Sequence, residues 1–261
     1  MKELFTMWKH TRMVVLTAVI ASVYAAVLIP FKPIPIIPGF TEIRPANVLP
    51  IICSLMFGPA AAWGSAFGNL IGDFFGTLGL GSIFGFLGNF LYGFIPYKVW
   101  RIISKEEPTI KGSKKLLKYI FLVFLASSVC GVVIGWGVDL LGLVPFSALA
   151  NIITINNFLV ASILGPFLLI ILYPRIKRWG LLYSDILEER ELPRKNLRGL
   201  GLILISIGGL GGIVLGNLIS LGIYHSGFLG AGFITGTTGS LGIALGMVPV
   251  IFLILIGSML L

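Results

Sequence analysis

Residues 40–97 read FTEIRPANVLPIICSLMFGPAAAWGSAFGNLIGDFFGTLGLGSIFGFLGNFLYGFIPY, an otherwise membrane-grade hydrophobic stretch that carries Glu42, Arg44, Asn47, Asn69, Asp73 and Asn89. A carboxylate or guanidinium at bilayer depth costs at least ~2.5–3.5 kcal/mol on insertion scales, so such residues face a protein interior or a wet cavity. Several of them in one stretch predict a polar pocket inside a bundle of membrane helices.

The rest of the chain supports that setting. Of 261 residues, 57% are hydrophobic and 11% charged, against about 25% charged in ordinary soluble domains. A soluble core would leave too little polar surface, so the fold class is all-α and polytopic. Apolar spans are expected near 11–30, 45–57, 59–75, 80–97, 119–142, 152–173, 199–223 and 239–261. The second and third are short for a crossing of ~20 residues, which predicts tilted helices or half-membrane segments buried in protein. Residues 1–25 also resemble a signal peptide, with Val23-Tyr24-Ala25 at the cleavage position, but the apolar run continues through Ile29, longer than a usual signal core of roughly 7–15 residues.

Charge gives the expected orientation. Of nineteen basic residues, only Lys32 and Arg44 lie on one side; the other seventeen lie before or at the start of the first span or fall in the connectors after the fourth and sixth. Positive-inside topology then places those connectors, 98–118 and 174–198, and both termini in the cytoplasm. Both connectors are expected to be solvated. The net charge of +9 therefore reflects membrane topology, with no nucleic-acid partner. Cys53 and Cys130 lie within apolar runs, as buried small hydrophobes do. No internal repeat supports an inverted-repeat secondary transporter.

Small residues mark helix contacts. Ala18, Ala21, Ser22 and Ala25 fall at helical spacing in the first span, a pattern suited to close packing or to docking a partner membrane protein. Ser82, Gly85, Gly88, Asn89, Tyr92 and Gly93 form a stripe in the fourth, and Gly208, Gly212 and Gly216 a tandem G-x-x-x-G pattern in the seventh.

Under this topology the polar groups gather toward the outside. Glu42, Arg44 and Asn47 lead into the second span, and Asn69 and Asp73, at i and i+4, share a face of the third. Asp139 ends the fifth, and Asn151, Asn156 and Asn157 begin the sixth, where they could serve as caps. Phe31, Phe40, Phe74, Phe75, Phe84 and Phe86 are the expected aromatic walls of a small-molecule pocket. Glu42 with Arg44, or Asp73 with Arg44, could instead simply pair.

Catalytic motifs are missing. The chain has neither G-x-x-x-x-G-K-[ST] nor H-E-x-x-H, and His10 and His225 fall on opposite membrane sides. No cofactor, metal or enzymatic role is expected.

The first six spans resemble the substrate-binding S component of energy-coupling factor (ECF) transporters, the vitamin-uptake systems of bacteria and archaea. The resemblance rests on Ala18/Ala21/Ser22/Ala25, on EIRPANVLP, and on FGPAAAWGSAFGNLIGD leading into GSIFGFLGNF. It implies an outward-facing pocket for a vitamin-like ligand of cobalamin, queuosine-precursor, flavin or folate type. It further implies docking through Ala18, Ala21, Ser22 and Ala25 on a transmembrane scaffold driven by two cassette ATPases. Glu42, Arg44, Asn47, Asn69, Asp73, Asn89 and Asn157 become the substrate-binding candidates. The expected organisation is a six-helix binding unit over residues 1–178, a cytoplasmic linker over 179–198 and a two-helix extension over 199–261 that the family pattern lacks. The competing readings are a stand-alone secondary or passive carrier and an intramembrane enzyme using Asp73 or Asp139.

Overall fold

The computed structural model describes residues 2–104, 106–110, 112–188, 197–223, 238–239 and 241–261. Among these, all eight apolar segments are helical: α1 (Thr11–Leu28), α2 (Val48–Phe57, entered through a 3₁₀ turn at Pro45–Asn47), α3 (Pro59–Asp73), α4 (Gly81–Ile103), α5 (Ser113–Leu140), α6 (Phe146–Arg178), α7 (Arg198–Ser220) and α8 (Leu241–Leu260). One antiparallel hairpin, β1 (Pro35–Ile37) and β2 (Thr41–Glu42), interrupts them between α1 and α2. The chain is thus a polytopic helical membrane protein.

Five segments are individually long and apolar enough to cross a bilayer: Thr11–Phe31, Ser113–Leu140, Phe146–Ile186, Arg198–Ser220 and Leu241–Leu260. The other three lack either the length or the apolar character, for identifiable reasons. α2 has 10 residues and α3 has 15, or about 15 and 22 Å at 1.5 Å per residue, against a hydrocarbon core of about 30 Å. α4 is long enough at 23 residues, but Asn89, Pro96 and Lys98 dilute its apolar character. α2 can be short because protein surrounds it; nine of its ten residues are buried, so little of its backbone meets lipid. Between α2 and α3 the chain reverses at Gly58, whose φ is +52° and where a Cβ would stand 2.7 Å from the Tyr183 ring. Both the dihedral and the contact require glycine there. α5 and α6 run past the apolar limits read from the sequence because hydropathy marks only the hydrocarbon, whereas a helix continues through the interface.

Packing begins with a ridge on α3. Gly64, Gly68 and Gly72 present bare backbone to α1, where added Cβ atoms would lie 2.8 Å from Ile20, 2.8 Å from the Ala21 carbonyl and 2.5 Å from Leu28. Such close approach is how helices associate where no hydrophobic effect separates them from lipid. It also divides the small-residue set of α1. Ala21 and Ala25 are buried on the side that carries Ile20, Tyr24 and Leu28, whereas Ala18 and Ser22 are exposed. The exposed face of α1 has its own spacing, with Ala18, Ser22 and Ala26 beside a valine row at 15, 19, 23 and 27.

The extension packs on α5 and α6, with a smaller contact on α4. Gly209 and Gly212 sit against Val129 and Val132, Gly216 against the Phe146 ring, and Gly208 against Ile254 of α8. The tandem glycine pattern of α7 is therefore used on two sides.

Two expectations about the connectors are corrected. Lys98 is not in a solvated loop. α4 continues to Ile103, and the Lys98 ammonium is buried against Glu3, with the Tyr97 hydroxyl donating to the same carboxylate at 3.2 Å. The described part of the 179–198 segment also docks on the bundle, burying Leu182 and Leu187 and setting Tyr183 edge-on to Tyr97. Apolar residues spaced between charges carried that information.

Gly68→Val should lower the thermal unfolding midpoint in detergent, by the equivalent of about 1–3 kcal/mol for an overpacked contact. Ala18→Val, on the exposed face, should leave the midpoint nearly unchanged.

Candidate functional site

At the hairpin end of the bundle, the hairpin, the 3₁₀ turn before α2, the segment after α3, and α3, α4, α5 and α6 line a cavity of about 340 Å³. Six of the seven expected residues line it: Arg44, Asn47, Asn69, Asp73, Asn89 and Asn157. Glu42 lies on a smaller adjoining cavity of about 240 Å³.

Helix phase brings these side chains inward. On α3, Asn69 and Asp73 stack one turn apart, and the Asn69 amide donates to Asp73 at 3.2 Å. They face α4 at Gly85, where a Cβ would crowd the Asn69 amide at 3.1 Å. On α4, Asn89 lies one turn further in and donates to the Gly85 carbonyl at 2.9 Å.

Two polar systems result. The first is a closed ring. Lys32 meets Glu42 at 3.2 Å, Glu42 meets Arg44 Nε at 2.9 Å, Arg44 Nη1 donates to Asn69 at 2.9 Å, Asn69 donates to Asp73, and Asp73 returns to Lys32 at 3.5 Å. The Lys32 ammonium also donates to Thr77 at 2.6 Å, and the Thr77 hydroxyl donates to Asp73 at 2.9 Å. Two cations and two carboxylates balance. Burial works against the Arg44 charge, but Glu42 beside it overrides that effect and holds the guanidinium above its ordinary pKa. The expected pairing of Glu42 with Arg44 is thus realised at the wall of a cavity, whereas Asp73 pairs with Lys32 and meets Arg44 only through Asn69.

The second system is an amide cluster around Tyr24. The Tyr24 hydroxyl lies 2.7 Å from Asn47 Oδ1 and 3.1 Å from Asn89 Oδ1. It has one proton, so one of those oxygens is left open to another donor. Asn47 in turn donates to Asn157, the Tyr92 hydroxyl donates to the Asn157 carbonyl at 3.3 Å, and Asn156 donates to the Glu42 carbonyl at 3.1 Å.

Other expected members serve elsewhere. α6 starts at Phe146, so Asn151, Asn156 and Asn157 lie inside the helix and do not cap it. Asp139 supplies the cap instead, accepting from Phe146 N–H at 2.6 Å and from Gly239 N–H at 3.0 Å. Asn151 forms a reciprocal amide pair with Asn217 of α7 at 2.7 and 3.0 Å. The aromatic wall is also corrected. Of the six phenylalanines only Phe40 lines the larger cavity, and Phe75 the smaller. Phe84 turns toward Trp136, Phe86 toward Phe67, and Phe74 is exposed beyond α3. The apolar lining is mainly aliphatic, with Ile134, Val138, Leu149 and Ile153.

Sequence reasoning missed Tyr24, Lys32 and Thr77. Tyr24 had a readable signal, since a tyrosine on a helix face with Ala21 and Leu28 needs a buried partner for its hydroxyl. Lys32 had one too, as one of only two cations on its side. His225 lies outside the described residues. Among the described residues no group of three His, Cys, Asp or Glu is placed to hold a metal ion.

Residues 14–174 match the family model described as QueT transporter. No curated protein and no solved structure matches the chain.

Asp139→Ala should lower thermal stability by about 1 kcal/mol, as for a lost helix cap, without changing the ion ring. A melt in detergent checks the first outcome, and unchanged ligand affinity, once a ligand is in hand, the second.

Proposed function

The chain belongs to the QueT transporter family, a family of ECF S components, and on that premise we propose that it binds a deazapurine queuosine precursor in the 340 Å³ cavity and delivers it inward through an ATP-driven scaffold. The observation that carries this reading is the convergence of five asparagines, at 47, 69, 89, 156 and 157, around one cavity, with the Tyr24 hydroxyl holding two of them from behind. A flat heteroaromatic base presents N–H donors and ring or carbonyl acceptors along one edge. Amides supply both kinds of partner, and the aliphatic walls take the ring faces. The balanced ion ring favours a ligand without net charge, because it presents one cation, Arg44, and one carboxylate, Asp73, to the larger cavity, and each already has an opposite charge.

In this reading the cavity faces outward, the lysine- and arginine-rich connectors are cytoplasmic, and residues 1–178 form the binding unit. The segment 179–198 then connects it to an extension at 199–261. Scaffold docking uses the exposed row Ala18, Ser22 and Ala26, while Ala21 and Ala25 hold α1 to its own bundle. The extension lies on α5 and α6, which is compatible with docking at that row.

Purified protein should be stabilised by 7-deazaguanine-type precursors in a thermal-shift panel that includes cobalamin, riboflavin and folate. No shift with any deazapurine would overturn the ligand assignment. Arg44→Ala and Asn89→Leu should each weaken binding about tenfold or more, the scale of a lost hydrogen bond to a buried partner. Ser22→Trp should abolish uptake in cells while leaving ligand affinity intact. Full uptake by this chain in cells without scaffold or ATPase subunits would instead favour a stand-alone carrier.

A further inference from the structure

The larger cavity reaches the surface between two apolar edges. Leu78 and Leu80, in the segment joining α3 to α4, form one edge, and Leu143, in the turn joining α5 to α6, forms the other; they are 54, 67 and 44% exposed. Phe74, Phe75 and Ile83 beside them are exposed too, and no charged residue falls between Phe74 and Leu87. A continuous apolar surface of this kind marks a contact with a membrane or with another protein.

We propose that the mouth faces lipid at the hydrocarbon boundary of the hairpin-end leaflet, so that acyl chains form part of the cavity's boundary. Depth is the first support. On α4, Gly81 lies 17 residues from Lys98, the cation nearest the middle of that helix, or about 25 Å at 1.5 Å per residue. On α5, Val138 lies 20 residues from Lys118, or about 30 Å. The two points meet, since a Cβ on Gly81 would stand 3.4 Å from Val138. With a hydrocarbon core of about 30 Å, the mouth lies no further out than the edge of that core. The backbone is the second support. A non-helical segment at this level has to find its hydrogen bonds within the protein. The N–H of Phe75 donates to the Gly72 carbonyl at 3.0 Å, and those of Gly76 and Thr77 to the Asp73 carbonyl at 3.2 and 3.0 Å. The Gly79 N–H donates to Ser82 Oγ at 3.3 Å, and the Ser82 hydroxyl donates back to the Thr77 carbonyl at 3.4 Å. The segment thus turns its N–H groups onto the bundle and its leucines and phenylalanines outward. The contact does not depend on what the cavity holds.

Spin labels on single cysteines report which phase each position meets. Leu78→Cys, Leu80→Cys and Leu143→Cys are made in full-length protein carrying Cys53→Ala and Cys130→Ala, and reconstituted in phosphatidylcholine–phosphatidylglycerol vesicles. Molecular oxygen concentrates among acyl chains and a neutral nickel chelate in water, so their relative effects on label relaxation separate the two phases. At all three positions oxygen should dominate as it does at Leu87→Cys on the exposed side of α4, with an oxygen-to-nickel ratio several-fold above that at Lys114→Cys, exposed at the start of α5. Nickel-dominated relaxation at any of the three overturns the proposal. Shielding from both reagents, the sign of a second copy or another protein on this face, overturns it as well. Should a labelled site not yield folded protein, Phe74→Cys or Ile83→Cys takes its place. The measurement uses no ligand, so it can fail while the ligand reading stands, and the reverse.

Discussion

The site depends on how closely α1 can approach α3. Three glycines one turn apart remove every side chain from the contacting stripe, so Ile20, the Ala21 carbonyl and Leu28 rest on α3 backbone. That separation places Tyr24 within reach of Asn47 and Asn89, and brings Lys32, just past the end of α1, to Asp73 and Thr77. A side chain on the ridge would displace α1 and break the amide cluster and the ion ring together. Packing and recognition are therefore one constraint in this part of the molecule. In lipid this is expected, because close van der Waals contact drives helix association.

The extension follows the same rule on the opposite side. Glycines of α7 let it lie on α5 and α6, and polar pairs at one end fix its register: Asn217 with Asn151, Ser220 with Ser147, and Trp136 with the Ala244 carbonyl at 3.3 Å. α5 and α6 supply the aliphatic wall of the cavity. The extension thus braces the aliphatic wall, while the ion ring ties the hairpin side.

Much of this was legible in the sequence. Hydropathy located all eight helical segments, because lipid demands long apolar runs wherever a helix meets it. Ionic and amide residues within those runs pointed to the cavity, because their burial is costly enough that they rarely stand there without partners. What could not be read was helix phase. Phe84 and Phe86 sit beside Gly85, which faces the site, yet one full helical rotation contains them all, and their rings turn to Trp136 and Phe67. Ala21 and Ala25 share a pattern with Ala18 and Ser22, but only tertiary contact separates the buried members from the exposed ones. Long-range pairing was also hidden. Lys98 reads as a flanking cation until the N-terminal segment brings Glu3 back to it. Lys32 is a lone basic residue in the sequence, and three partners from two other elements give it a role.

The two polar systems divide the work of a binding protein in a way that charge energetics favours. An unpaired ion in a low-dielectric cavity would cost several kcal/mol, and a ligand would have to compensate it on binding and restore it on leaving. Here each ionic group already has an opposite charge in the ring, so emptying the cavity exposes no unpaired ion. In the proposed binding mode recognition falls to neutral amides, whose hydrogen bonds exchange with water at a net cost of about 1 kcal/mol each. A site built this way can bind firmly through several such contacts and still release its ligand when the geometry around them shifts. The ring, by contrast, joins segments of the protein to one another, the hairpin and the end of α1 to α3, through charge-assisted contacts.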